Sequence, residues 1–118
     1  MKPKLKAWIV FPGGTKFGEG RARLLRLVEK EGSLRAAVKR MGMSYRAAWG
    51  YLRELEEAAG RAFLERTGAG PRAGMRLTAE GKALLEAFAS FRGSVEATTS
   101  KAFRAAFANR RRRRRRHA

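Results

Sequence analysis

The sequence has no cysteine and only one histidine, His117. Without cysteine the chain can form no disulfide bond, no thiolate metal site and no thiol nucleophile. The histidine stands beside an arginine run near the C-terminus, far along the chain from any acidic residue. We therefore predict no catalytic residue, no metal ligand and no cofactor. The lack of cysteine also fits a cytoplasmic protein.

Long apolar runs are missing too, although apolar residues make up 44% of the 118-residue chain. No run approaches the roughly 20 residues that a membrane span needs. The N-terminal sequence MKPKLKAWIVFPGG places lysines before an apolar stretch, but that stretch covers only residues 7–11. A signal peptide has an apolar segment of roughly 7–15 residues. We therefore expect one domain with a modest core and no membrane partner.

Acidic residues are scarce, with 10 Asp and Glu against 28 Lys and Arg, a formal net charge of +18. Seven arginines form an unbroken run over residues 110–116, and without them residues 1–109 still carry +11. A polyanion is the natural partner, because each phosphate that is neutralised releases condensed counterions. Solubility is the simpler explanation of the charge, and charge alone does not separate DNA from RNA or an anionic membrane.

Apolar spacing predicts a strand followed by three helices. The strand covers residues 4–11 and ends at the turn sequence PGG. Helical spacing then runs from about residue 19 to Gly32, from Ser33 to Gly42, and from Ser44 to about residue 59. Each glycine is placed to end a helix and each serine to cap the next one.

A β-hairpin and a fourth helix are predicted beyond the third helix. Residues 62–66 and 75–77 are strand-like, and the TGAGPRAG between them makes an exposed loop that carries an arginine. Thr78 can cap the fourth helix, whose apolar pattern weakens at Gly93 and resumes later. We expect a folded domain over residues 1–92, a helical extension over 93–109 and a disordered arginine-rich tail over 110–118.

Three helices followed by a β-hairpin is the order of a winged helix-turn-helix, a mainly α fold with a small β-hairpin and here a long C-terminal helix. The second helix of the helix-turn-helix, here the third helix of the chain, is the recognition helix that enters the major groove of DNA. Helical geometry gives the third helix a core-facing stripe of Ala48, Leu52, Leu55 and Ala59. The polar and aromatic residues of that helix lie off the stripe, where they can meet DNA.

Nine residues are predicted to contact DNA: Ser33, Ser44, Tyr45, Arg46, Trp49, Arg53, Arg66, Arg72 and Arg76. Arginine can donate two hydrogen bonds to guanine or pair with phosphate, and tyrosine can offer its hydroxyl to a phosphate and its ring to a thymine methyl. Trp49 could pack on the sugar-phosphate backbone or plug a crevice inside the protein. The hairpin arginines could reach the minor groove or backbone, or simply solvate a loop.

Two stretches, FGEGRARLLRLVEKEGSLRAAVKRMGMSYRAAWGYLRELE and FLERTGAGPRAGMRLTAEGKALLEAF, resemble the N-terminal DNA-binding domain of ModE-type molybdenum-dependent transcriptional regulators. They are more distantly similar to the winged helix of LysR-type regulators. The resemblance covers roughly residues 4–92, and AAVKRMGMSYRAAW is its most specific segment. It implies a homodimeric repressor or activator, with dimer contacts from the first strand and helix and from the fourth helix. It also implies that Ser44, Tyr45, Arg46 and Trp49 lie at or beside the DNA.

Full-length regulators of that type carry C-terminal molybdate-binding domains. Residues 93–118 could not form such a domain, so we expect no direct molybdate binding by this chain. Regulation would then be constitutive or depend on a separate oxyanion-binding protein.

The sequence thus predicts a transcriptional regulator that binds double-stranded DNA, as a homodimer on a pseudo-palindromic operator. An enzyme has little support, because Glu54, Glu56 and Glu57 are expected on an exposed helix face in i,i+4 pairs. The glycines before the first helix lack the GK[ST] ending of a phosphate-binding loop. Two alternatives stay open: a nonspecific architectural protein of the nucleoid, and an adaptor that uses residues 88–107 as an interaction surface.

Overall fold

The computed structural model describes the backbone of residues 1–117 and the side chains of residues 1–108. It contains four helices and two small antiparallel hairpins within that part of the chain. By contacts the chain divides into two compact units, one of residues 8–88 and one of residues 1–7 with the chain from 89 onward. The boundary at residue 92 that the sequence predicted stays a prediction.

The first three helices are α1 (Glu19–Glu31), α2 (Leu34–Met41) and α3 (Tyr45–Ala59). Ser33 and Ser44 cap α2 and α3 as predicted, since their Oγ atoms accept hydrogen bonds from backbone amides three residues later, at 3.1 and 3.0 Å. A left-handed glycine follows each helix, which confirms the three predicted ends.

The first hairpin differs from the predicted single strand over residues 4–11. Only β1 (Ile9–Val10) is a strand, and it pairs with β2 (Lys16–Phe17), which the sequence pattern did not indicate. The PGG turn joins them, with the Phe11 amide donating to the Thr15 carbonyl at 2.8 Å. A two-residue strand has no periodicity of its own, so its partner defines it.

The core lies among the helices of the unit formed by residues 8–88. Its largest fully buried side chains are Phe17, Phe88, Leu24, Leu25, Leu52, Leu55 and Val28. The rings of Phe17 and Phe88 meet edge to face, with centroids 5.0 Å apart. Phe17 thereby joins the first hairpin to the third turn of the fourth helix. Burial of each Phe side chain stabilises the fold by roughly 1.5–3 kcal/mol.

The second hairpin consists of β3 (Leu64–Arg66) and β4 (Met75–Leu77), and with its loop we call it the wing, residues 64–77. Two carboxylates hold its base. Glu29 of α1 accepts from the Leu77 amide at 2.8 Å, and Glu56 of α3 accepts from the Phe63 and Leu64 amides at 2.5 and 3.3 Å. The wing therefore leaves the body of the protein in a direction set by α1 and α3.

Helix α4 spans Ala79–His117 and is capped by Thr78, whose Oγ1 accepts from the Gly81 amide at 3.0 Å. The expected weakening at Gly93 does not break it, because one open glycine costs a continuing helix only about 1 kcal/mol. The helix also takes in most of the tail (110–118) for which disorder was expected, as arginine is a good helix former. The side chains of that tail lie outside the described residues.

Together these elements form the mainly helical, winged helix-turn-helix fold that the sequence predicted, with small hairpins and a long C-terminal helix.

Candidate nucleic-acid interface

Helix α3 has one face in the core and another in solvent. Ala48, Leu52 and Leu55 are buried, as the helical spacing predicted. Arg46 and Arg53 are exposed on the opposite side. An arginine that is free of protein partners can direct its five N–H donors to a ligand. Neither side chain has a hydrogen-bonding or ionic partner among the described residues.

An aromatic pair marks the first turn and a half of α3. Tyr45 is 38% exposed and its ring meets that of Trp49 edge on, with centroids 6.1 Å apart. The guanidinium carbon of Arg35, on α2, lies 4.6 Å from the centre of the Tyr45 ring. This distance is within the range of a cation–π interaction, so the two helices of the motif are joined at the tyrosine.

Trp49 lies partly in the core and partly at the surface, and its contact with the sugar-phosphate backbone stays a prediction. It is half-buried and packs against the core cluster. Its remaining surface lines a groove on the outside of the protein. The indole is therefore held by the core at one side and borders the groove at the other.

The groove lies between the wing and the N-terminal ends of α2 and α3, and has a volume of about 660 Å³. Five of the predicted DNA-contacting residues line it: Ser33, Tyr45, Trp49, Arg66 and Arg72. Arg35 lines it as well and was missed by the sequence analysis. The sequence feature that indicates Arg35 is its position in the first turn of α2, two residues after the capping serine.

The other predicted residues lie outside this groove: Ser44, Arg46, Arg53 and Arg76. Ser44 stands at the exposed start of α3, and its hydroxyl accepts from a backbone amide. Because a hydroxyl can accept and donate at once, its hydrogen remains available to a phosphate. The same holds for Ser33 at the start of α2.

The three wing arginines differ in their present partners. Arg66 donates to the Gly70 carbonyl at 2.6 Å, across the loop. Arg76 pairs with Glu65 at 2.8 Å, so its charge is partly offset. Such an exposed pair is worth at most about 1 kcal/mol and can be exchanged for a phosphate. Arg72 is exposed at the loop itself and lines the groove.

The acidic residues of α3 do not form the expected i,i+4 pairs. Glu54 pairs with Arg21 of α1 at 3.0 Å and lies 3.4 Å from the Thr15 hydroxyl. Glu56 accepts from backbone amides at the base of the wing. Local spacing indicates only partners on the same helix. The partners of Glu54 and Glu56 come from other parts of the chain.

The described part of the chain has no cluster of three His, Cys, Asp or Glu side chains able to hold a metal ion. Nor does it contain a helix with the length and apolarity to cross a membrane.

Comparison with solved structures gives a match to the crystal structure of a CbnR DNA-binding domain in complex with DNA. The sequences are 25% identical, the TM-score is 0.57, and the match covers 74% of this chain and 95% of that one. No curated protein matches the sequence.

A family profile described as "bacterial regulatory helix-turn-helix protein, lysR family" matches residues 20–82, more than half of the chain. The matched residues begin in α1, take in α2, α3 and the wing, and end in the first turn of α4. The chain therefore belongs to the lysR family of bacterial regulatory helix-turn-helix proteins.

Proposed function

We propose that this protein is a sequence-specific, DNA-binding regulator of transcription. The observation that carries the proposal is the solvent-facing side of α3, where Arg46 and Arg53 stand beside a groove lined by Arg35, Arg66 and Arg72. An α-helix fits the major groove, and arginine reads guanine there. The basic groove next to the helix is suited to the phosphates of one strand.

In the proposed complex α3 lies in the major groove and the wing reaches the neighbouring minor groove or backbone. Arg46 and Arg53 read base edges, while Ser33, Ser44 and Tyr45 contact phosphates. Arg66, Arg72 and Arg76 extend the contact along the wing. The likeness to a domain solved in complex with DNA supports double-stranded DNA as the partner.

We further propose a homodimer on a pseudo-palindromic operator, with α4 as a main dimer element. Phe91 is 43% exposed, and the rings of Phe103 and Phe107 are 4.6 Å apart on the same helix. Apolar side chains that recur along a long helix are typical of helix–helix association. Sedimentation of the protein at micromolar concentration tests this part, and a monomer at every concentration would contradict it.

The finer relation to ModE-type regulators rests on the segment AAVKRMGMSYRAAW. We propose that this domain is related to the DNA-binding domain of those regulators. We also propose that residues 1–118 do not respond to molybdate. Titration of the bound protein with molybdate should leave its affinity for the operator unchanged. A shift in affinity would show an oxyanion site in the chain.

The proposed function is tested by selecting bound sequences from a random duplex library at about 150 mM salt, where nonspecific binding is weakened. The same selection is made with a variant that lacks residues 110–116. A regulator should enrich a pseudo-palindrome with both proteins and prefer it to random duplex by roughly 10³-fold or more.

One second candidate has specific support. Residues 1–109 carry +11 even without the arginine run, a charge that could hold DNA without reading its sequence. Tight binding without any enriched sequence would favour this architectural function over regulation at an operator.

A further inference from the structure

Gly50 stands in the middle of α3 without a structural reason for being glycine. A Cβ built at this position meets nothing within 4 Å in the described part of the chain. Its φ is not positive, so the backbone there suits any L-residue. Neither a tight turn nor close packing within the protein requires glycine at this point.

Several other glycines of the fold are explained by their surroundings, whereas Gly20 and Gly93 are, like Gly50, helical and open around their Cβ positions. A Cβ on Gly81, also in a helix, would lie 2.3 Å from the carbonyl oxygen of Phe63. The glycines that follow α1, α2 and α3 have left-handed backbones. Gly50 belongs to neither group, although glycine is less favourable in a helix interior than every residue except proline.

The position of Gly50 on α3 points to a partner outside the chain. It is exposed, and Arg46 and Arg53 stand four residues before and three residues after it. Residues at these spacings share one face of a helix. Gly50 is therefore the low point between two exposed arginines, on the side of α3 that faces away from Leu52 and Leu55.

We propose that Gly50 is a specificity-determining residue that lets the backbone of α3 approach the base edges in the major groove closely. Glycine permits such an approach because it has no side chain to hold the helix away from a ligand. With the helix at this depth, Arg46 and Arg53 reach base edges on either side of the contact. This role of Gly50 rests on the proposed function, because the sequence preference of the protein for its operator would depend on this residue.

The test compares Gly50→Ala with the unchanged protein on the selected operator and on random duplex. The alanine should raise the melting temperature by about 4 °C, since it favours the helix. Affinity for the operator should nevertheless fall about tenfold or more, as for a mismatched base pair. Affinity for random duplex should change less than about twofold, because phosphate contacts tolerate a shallower helix. Gly50→Met, a larger good helix former, should weaken operator binding further.

Gly20→Ala is the matched control. Gly20 is also exposed, helical and open around its Cβ position, but it lies on α1. This variant should keep the operator affinity of the unchanged protein.

The outcomes separate the two proposals. If the unchanged protein prefers no sequence, the proposed function is wrong, and the role of Gly50 fails with it. If it prefers the operator and Gly50→Ala binds as tightly, only the inference about Gly50 is overturned. A lower melting temperature for Gly50→Ala would also overturn it, because the glycine would then serve the fold itself.

Discussion

At the scale of single residues, the exposed arginines of α3 and those of the groove are expected to do different work. Arg46 projects from the side of α3 opposite the buried Leu52 and Leu55, where base edges would lie. Arg35 lies over the Tyr45 ring at the groove, where a phosphate strand would run. Base contacts carry specificity, whereas phosphate contacts set position and affinity.

Arg46→Ala should therefore cost about 1–3 kcal/mol at the selected operator and leave binding to random duplex nearly unchanged. Arg35→Ala is the comparison, and should weaken both DNAs by similar factors, because it would remove a phosphate contact. Fluorescence anisotropy with labelled duplexes measures both. Equal losses on the two DNAs for Arg46→Ala would reassign this residue to the phosphates.

A second prediction for a single residue concerns Gly81 and the stability of the fold. Its Cβ would meet the Phe63 carbonyl oxygen at 2.3 Å and the Leu77 side chain at 3.3 Å. Gly81→Ala should therefore lower the free energy of unfolding by about 1–3 kcal/mol, because the wing and α4 must move apart. Urea denaturation measures the change. Gly93→Ala, with open space around it in the described chain, should be neutral or stabilising.

At the scale of elements, the wing depends on a carboxylate from α3. Glu56 accepts from the Phe63 and Leu64 amides at the base of the wing. Glu56→Ala should cost about 1–3 kcal/mol, since it removes the carboxylate that accepts from both amides. Their hydrogen exchange should speed up with it. Glu57→Ala, at the exposed neighbouring position, is the control and should leave the wing unchanged.

Element ends were predictable because they depend on local chemistry. Ser33 and Ser44 bond to amides three residues away, and Gly32 adopts the left-handed conformation that ends α1. Nothing beyond neighbouring residues is needed for these features. The first three helices and the wing could accordingly be located from sequence within a few residues.

The features that the sequence missed are those that depend on distant partners. Strand β2 exists because it pairs with β1, and Glu29 reaches the Leu77 amide across 48 positions of the chain. Arg35 is part of the candidate site only because α2 brings it over the Tyr45 ring. Helical spacing correctly separated the faces of α3, but it could not show which other elements border the groove.

At the scale of the whole molecule, charge should govern affinity. The run over residues 110–116 supplies seven of the 28 basic residues. If about four of these meet phosphates, deleting the run should flatten the slope of log K against log salt by about 3.6 units. Replacing the seven arginines with glutamine keeps the length and should give the same result. An unchanged slope would show that the run stays off the DNA.

The sequence holds two tryptophans, and they report on different parts of the protein. Trp8 lies under the Lys16 ammonium group, 5.4 Å from it, while Trp49 sits edge on to Tyr45 in the groove beside the wing. With Trp8 replaced by phenylalanine, all indole emission would come from the groove. The colour and brightness of that emission would then follow the arrival of DNA in real time, without a dye on either molecule.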